Sequence, residues 1–235
     1  MAKIQNPNIE MVVRAAKQLA ELAEEMVFLG GCATGLLITD KAAAPIRQTI
    51  DVDTIVQVSS RAEYYQLSDA LREKGFREDS SDNAPMCRWR GDAVILDVMP
   101  TDASILGFAN KWYVSAMEHA KDMTLPSGQT IKMVSAPYFL MTKLEAFDGR
   151  GEGDYQMSHD IEDIVAVLDG RVEVLKDVQC ADERLRNELS QRFVELGNDD
   201  RFMQSIPGHM PPDVASQLRV SHVRDVIDAL AKINS

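Results

Sequence analysis

Leu29-Gly-Gly-Cys-Ala-Thr34 and Arg47-Gln-Thr-Ile-Asp-Val-Asp-Thr-Ile-Val56 are the two ends of the stretch on which the reading of this chain turns. The first end predicts a buried strand, Met26 to Leu29, that breaks at Gly30-Gly31 into a helix. The second predicts a strand from about Thr49 to Gln57 carrying two carboxylates. Side chains two apart on a strand share a face, so Asp51 and Asp53 project together and leave Val52 and Ile55 for the core. Two aspartates side by side on a core strand repel each other and resist burial unless a cation compensates them. A hard divalent cation with oxygen ligands, Mg²⁺, is the simplest compensation.

Working outward, the 235 residues are enough for one large domain or a compact domain with a helical extension. A hydrophobic share of 45% and a charged share of 26% are ordinary for a globular protein. The formal net charge of −12 disfavours non-specific binding to nucleic acid or to anionic membranes. Cys32, Cys87 and Cys180 lie far apart without the spacing of a zinc or redox site, which reads as buried or half-buried thiols in a reducing compartment. His119, His159, His209 and His222 show no zinc-ligand spacing either. The N-terminus lacks the apolar core of a signal peptide, and no apolar run approaches the ~20 residues of a membrane span. A cytoplasmic protein with no membrane partner is expected.

Asn8 is the expected cap of a helix to about Glu25. After the double glycine, a short helix over Ala33 to Ile38 gives way to a loop around Pro45. Ser59 or Ser60 caps a helix ending near Lys74-Gly75, with Tyr64, Leu67, Leu71 and Tyr65 as its core candidates. Strands over Met86 to Arg90 and Ala93 to Val98 flank a hairpin turn at Gly91-Asp92. Asp97 is a lone charge in the second of these. Further extended structure is expected from Trp112 to Val134, with Trp89 and Trp112 in the core. Pro137 opens a helix to about Asp148. A glycine-rich linker follows, and Ser158 caps the next helix. From there the reading is helical, about 158–169, 172–178, 181–197 and 212–233, with 198–212 as a mobile loop or short turns. The expectation is an α/β (α+β) protein: a mixed sheet flanked by helices over 1–135, then a helical domain over 136–235.

Three features then converge on one chemistry. Glycines at a helix start let backbone amides face a phosphate. Asp51, Asp53 and Asp97 on adjacent strands can hold two Mg²⁺ ions between a triphosphate and an attacking hydroxyl. Asp102 is near Asp97 but past the end of its strand. The combination suits nucleotidyl transfer, with attack at the α-phosphorus and pyrophosphate leaving.

On these residues the chain resembles the nucleotidyltransferase superfamily that includes DNA polymerase β. It is more closely similar to the bacterial abortive-infection (AbiEii-type) nucleotidyltransferase toxins. Their first motif has the form Gly-Gly/Ser, an intervening stretch, then Arg-x-Thr-x-Asp-hydrophobic-Asp, here Gly30-Gly31 and Arg47 to Asp53. A second segment, Lys143-Leu-Glu-Ala-Phe-Asp-Gly-Arg150 and then His159-Asp160-Ile-Glu-Asp163, is similar to the family's Lys-Leu-x-Ala…Arg…Lys-Asp-x-x-Asp-Leu. His159 stands where the family has Lys, and the stretch from Gly31 to Asp51 is longer than in the compact motif. The match touches residues 28 to about 168.

The resemblance implies an NTP-dependent, Mg²⁺-dependent nucleotidyltransferase fold, with ATP among the candidate nucleotides and an antitoxin protein as a candidate partner. It implies Asp51, Asp53 and Asp97 as the catalytic metal ligands, with Asp97 helping to deprotonate the acceptor hydroxyl. It implies Gly30, Gly31, Arg47, Thr49, Lys143 and Asp160 as nucleotide contacts. The acceptor stays open between RNA, a protein and a small molecule. Arg184, Arg186, Arg192 and Arg201 are candidates for a basic groove if it is RNA. Two other readings share the fold: a non-catalytic binding or antitoxin partner, and an antibiotic nucleotidyltransferase.

Overall fold

Asn6 starts the first helix, α1 (Pro7–Leu19), by accepting a hydrogen bond on its side chain from the Asn8 amide, and Pro7 occupies the first turn. Asn8, the expected cap, instead lies inside the helix and is buried. Val12, Ala15, Ala16 and Leu19 follow at helical spacing and turn inward. A 3₁₀ turn over Ala20–Glu25, not more α-helix, leads to the sheet. The computed structural model describes residues 6–150 and 153–233. The signal-peptide reading of Met1 to Gln5, and Gly151 and Glu152 of the expected linker, lie outside the described residues.

β1 (Met26–Leu29) is buried at every position and runs directly into α2 (Gly30–Leu37). β2 (Val52–Val56) is shorter than expected and begins after Asp51. Ile55 shares the alternation of Asp53 yet is buried, so apolar cover starts two residues beyond the carboxylate. Ser60 caps α3 (Arg61–Glu73), which turns Leu67 and Leu71 inward while Tyr65 faces solvent. Then come β3 (Arg77–Glu78), β4 (Arg88–Arg90) and β5 (Ile95–Pro100). The turn between β4 and β5 is closed by the Gly91 amide donating to the Val94 carbonyl. After the short α4 (Ala103–Leu106) stands α5 (Tyr113–Glu118), where extended structure was expected. The Asn110 side chain accepts from the Trp112 amide and starts this helix, and Trp112 and Ala116, one turn apart, are both buried. The hairpin β6 (Lys121–Thr124) and β7 (Thr130–Met133) follows.

The seven strands form one mixed sheet in the order β3-β4-β5-β2-β1-β7-β6. β2 lies at its centre, and β1 beside it runs antiparallel to β2 and parallel to β7. β2 and β5 run parallel, with Asp53 directly opposite Asp97. The chain thus combines a mixed sheet and flanking helices with a run of C-terminal helices.

That run begins with α6 (Ala136–Arg150), buried almost continuously from Ala136 to Leu144. Ser158 caps α7 (His159–Gly170) through the Ile161 amide. α8 (Val174–Gln179) and α9 (Glu183–Asn198) come next, the latter capped by Asp182. Short helical turns make up the stretch 198–212. α10 (Asp200–Ser205), capped by Asp199, and a 3₁₀ turn over Ile206–His209 fill most of it, anchored by buried Phe202 and Ile206. α11 (Val214–Leu218) and α12 (Val220–Ala231) end the chain, with α12 packed along α9. Among the described residues, no helix is long and apolar enough to cross a membrane.

The chain divides into two compact units: Met1–Gly35 with Gln48–Ser135, and Leu36–Arg47 with Ala136–Ser235. Segment 36–47 therefore belongs with the helices. The Thr39 and Asp40 amides both donate to the Gly170 carbonyl, and Arg171 donates to the Leu37 carbonyl. Arg219 spans Asp169 and Asp40. A side chain at Gly170 would run into Ile38 and Ala43.

Candidate active site: a carboxylate centre and a second charged cluster

Strand register sets Asp53 beside Asp97 in the sheet unit, and Asp51 stands just ahead of β2. Asp53 sits on β2 beside Asp97 on β5, and its other neighbour is Leu29, the last residue of β1. The next residue, Gly30, has φ +73°, and a Cβ there would collide with the Asp53 carboxylate. The glycine is thus needed twice, for its backbone conformation and for the approach of Asp53. Gly31, one step into α2, is buried. Asp51 precedes the strand. Its Oδ1 accepts from the Thr49 hydroxyl at 2.8 Å, and the Thr49 amide in turn donates to Asn8 Oδ1 at 3.1 Å. Thr49 therefore orients Asp51, and burial of Asn8 on α1 orients Thr49.

A fourth residue joins them. On β4, Arg88 is the cross-strand partner of Asp97. Its Nε donates to Asp97 Oδ1 and its Nη2 to Asp97 Oδ2, each at 2.8 Å, and Nη2 also reaches Asp51 Oδ2 at 2.6 Å. Asp97 is only 6% exposed. A two-pronged guanidinium–carboxylate pair is the arrangement that best compensates such a buried charge. The Asp97 hydrogen bonds hold the guanidinium even more firmly protonated than usual. The Cys87 thiol beside it is pushed up to about 12, chiefly by burial and further by Asp97 and Asp53. It stays a neutral packing group. Cys32 is likewise buried, whereas Cys180 is exposed.

The three carboxylates are the hard oxygen donors that Mg²⁺ prefers, so the donor set fits that ion in its chemistry. Its present arrangement is a different matter. Two of the three carboxylates are held by Arg88, and among the described residues no group of three or more His, Cys, Asp or Glu is arranged to hold a metal ion. Asp102, the rival ligand, is exposed and accepts from the Ser104 amide as the cap of α4.

The helical unit contains the other predicted contacts. Lys143 on α6 is buried and sits 3.1 Å from Asp160 and 2.6 Å from Asp163, both buried near the start of α7. Arg150, at the end of α6, clamps Asp160 from the solvent side with two hydrogen bonds of 3.0 and 2.8 Å. Burial alone would raise the Asp160 carboxyl. Hydrogen bonds from Arg150 and the charge of Lys143 outweigh it and hold the group below the usual carboxylate range. Arg47 joins the same cluster, 3.2 Å from Glu162 and 3.5 Å from Asp163. His159, in the place of the family's Lys, is exposed and lies 3.2 Å from Glu162.

The candidate site residues thus fall into two sets. Gly30, Gly31, Thr49, Asp51, Asp53 and Asp97 are in the sheet unit, and Arg47, Lys143 and Asp160 are in the helical one. The four arginines considered for a basic groove are largely engaged elsewhere. Arg192 pairs with Asp148, Arg201 with Asp199, and Arg186 donates to the Gln179 and Ala181 carbonyls. Arg184 shares its surface hollow with Glu183 and Glu188. Sequence reasoning missed Arg88. A turn centred on Gly91-Asp92 would set residue 88 opposite 95; the turn instead spans residues 91–94 and sets 88 opposite 97. The chain matches no protein-family model, and no curated protein matches it.

Proposed function

We propose that this chain is a divalent-cation-dependent nucleotidyltransferase, moving a nucleoside monophosphate from an NTP to an acceptor hydroxyl. The observation that carries the proposal is the meeting of Asp53, Asp97 and the Gly30 turn across three adjacent strand positions, with Asp51 alongside. The resemblance of Gly30-Gly31 and Arg47 to Asp53 to the AbiEii-type motif adds to it. In this reading Asp51, Asp53 and Asp97 would hold Mg²⁺, which when bound neutralises the triphosphate. The amides opening α2 bind phosphate oxygens, and Asp97 orients the acceptor hydroxyl. The acceptor oxygen forms a bond to the α-phosphorus, the bond to pyrophosphate breaks, and the hydroxyl proton passes to a carboxylate or to water. Membership of a toxin–antitoxin pair, with an antitoxin protein as partner, and a cytoplasmic setting belong to the same proposal.

The test is incubation of the protein with each labelled NTP, Mg²⁺ and a cell extract. Label should move to one acceptor class (RNA, protein or small molecule). It should be lost in D51A/D53A protein that keeps its circular-dichroism spectrum. Undiminished transfer by that variant would refute the assignment.

A second reading has one specific observation behind it. Arg88 already compensates Asp51 and Asp97, as it would in a non-catalytic domain that binds a partner instead of a nucleotide. Calorimetry of NTP binding with and without Mg²⁺ separates the two. Magnesium-dependent binding favours the enzyme, and no binding favours the partner.

A further inference from the structure

Arg88 can be read in a way that keeps the enzyme and explains the guanidinium, and this inference rests on the nucleotidyltransferase reading. We propose that Arg88 is the resident counter-cation of the carboxylate centre and exchanges with the divalent cation. It holds Asp51 and Asp97 when the metal is absent. When the metal enters, it swings away to meet phosphate oxygens of the nucleotide.

The geometry makes the two cations exclusive. Nη2 of Arg88 alone touches Asp51 Oδ2 and Asp97 Oδ2, at 2.6 and 2.8 Å, and so stands where an ion bridging those carboxylates would have to be. Two positive charges at such close range repel strongly in a partly buried setting. One must leave if the other arrives. Arg88 is equipped to leave. Its backbone is fixed by strand pairing to β5, and its neighbours Cys87 and Trp89 are buried. Its own side chain is 17% exposed and long. A guanidinium fork fits phosphate as well as it fits carboxylate, so the same donors that hold Asp97 can take a phosphate once released. Lys143, the cation predicted for that task, lies instead in the helical unit on two carboxylates of its own. Before metal binds, Arg88 also prevents the mutual repulsion of Asp51 and Asp97 from opening the strands.

The test is binding of Mn²⁺, without nucleotide, to wild type, R88Q and R88K, read from the paramagnetic resonance signal of free Mn²⁺. R88Q should bind roughly tenfold tighter or more, a modest part of what removing a unit charge at contact distance can yield. R88K, whose ammonium cannot fork across both carboxylates, should fall between. The gain should vanish in R88Q/D51N. R88Q leaves Asp97 buried without its partner, so its melting temperature in EDTA should drop and Mn²⁺ should raise it by more than it raises wild type. Equal or weaker Mn²⁺ binding by both Arg88 variants, beside measurable binding by wild type, overturns the exchange and leaves the nucleotidyltransferase reading standing. Absence of Mn²⁺ binding in every protein, R88K included, overturns both.

Discussion

Gly30 bears two constraints at one atom's position: a left-handed backbone and the carboxylate of Asp53 where a side chain would go. G30A should therefore destabilise the protein by about 2 kcal/mol, a typical cost of a strained non-glycine φ, and by more if Asp53 is displaced. G149A, at a helical glycine whose added side chain meets no neighbour within 4 Å, is the control, with urea unfolding as the measurement. Asp53 and Asp97 were legible because a carboxylate inside an apolar strand has few reasons to be there, and Asp51 because it stands two residues from Asp53. Arg88 was not, because an arginine next to a turn reads as an ordinary solvated side chain. Its meaning comes only from strand register, which a sequence does not state. Lys143 was legible as a residue but not in its company. The two carboxylates it meets come from the next helix, and their burial depends on packing.

The start of α7 shows what an element adds to its residues. Ser158 caps it, and Asp160 in its first turn has favourable helix-dipole placement, but the stronger anchors are Lys143 and Arg150 on α6. D160N should cost about 3 kcal/mol near neutral pH, because it leaves a buried ammonium short of a partner. The pH dependence has a definite sign. The native Asp160 pKa lies below its ordinary value of 3.8, so its contribution is complete above that value and is lost as pH falls through the native one. The urea midpoints of wild type and D160N should converge as pH falls below 3.8. Long, capped helices and the β4–β5 hairpin were readable from periodicity and turn residues. α5 and α10 were not. At six residues each they show too little periodicity, and what decides them is two buried side chains one turn apart, helped by the Asn110 turn before α5 and the Asp199 cap of α10.

At the scale of the whole chain, the mixed sheet followed by helices was visible as a change of period near residue 135. The membership of segment 36–47 was not, since it is made by contacts from residues 170 to 219. Arg219 is its outermost anchor, bridging Asp169 and Asp40. R219A should leave the sheet unit intact and speed amide hydrogen exchange at Thr39 and Asp40, whose acceptor is the Gly170 carbonyl. Unchanged protection there would show that the backbone bonds hold the segment alone. The same wiring has a consequence in time. During synthesis, residues 36–47 leave the ribosome long before Gly170 and Arg219 exist, so the stretch joining the double glycine to Asp51 must wait, unpaired, for more than a hundred further residues to be made. A nascent chain stalled just past residue 135 should therefore present this segment to proteases and chaperones. The full-length chain should hide it, and only a late step of folding can close that window.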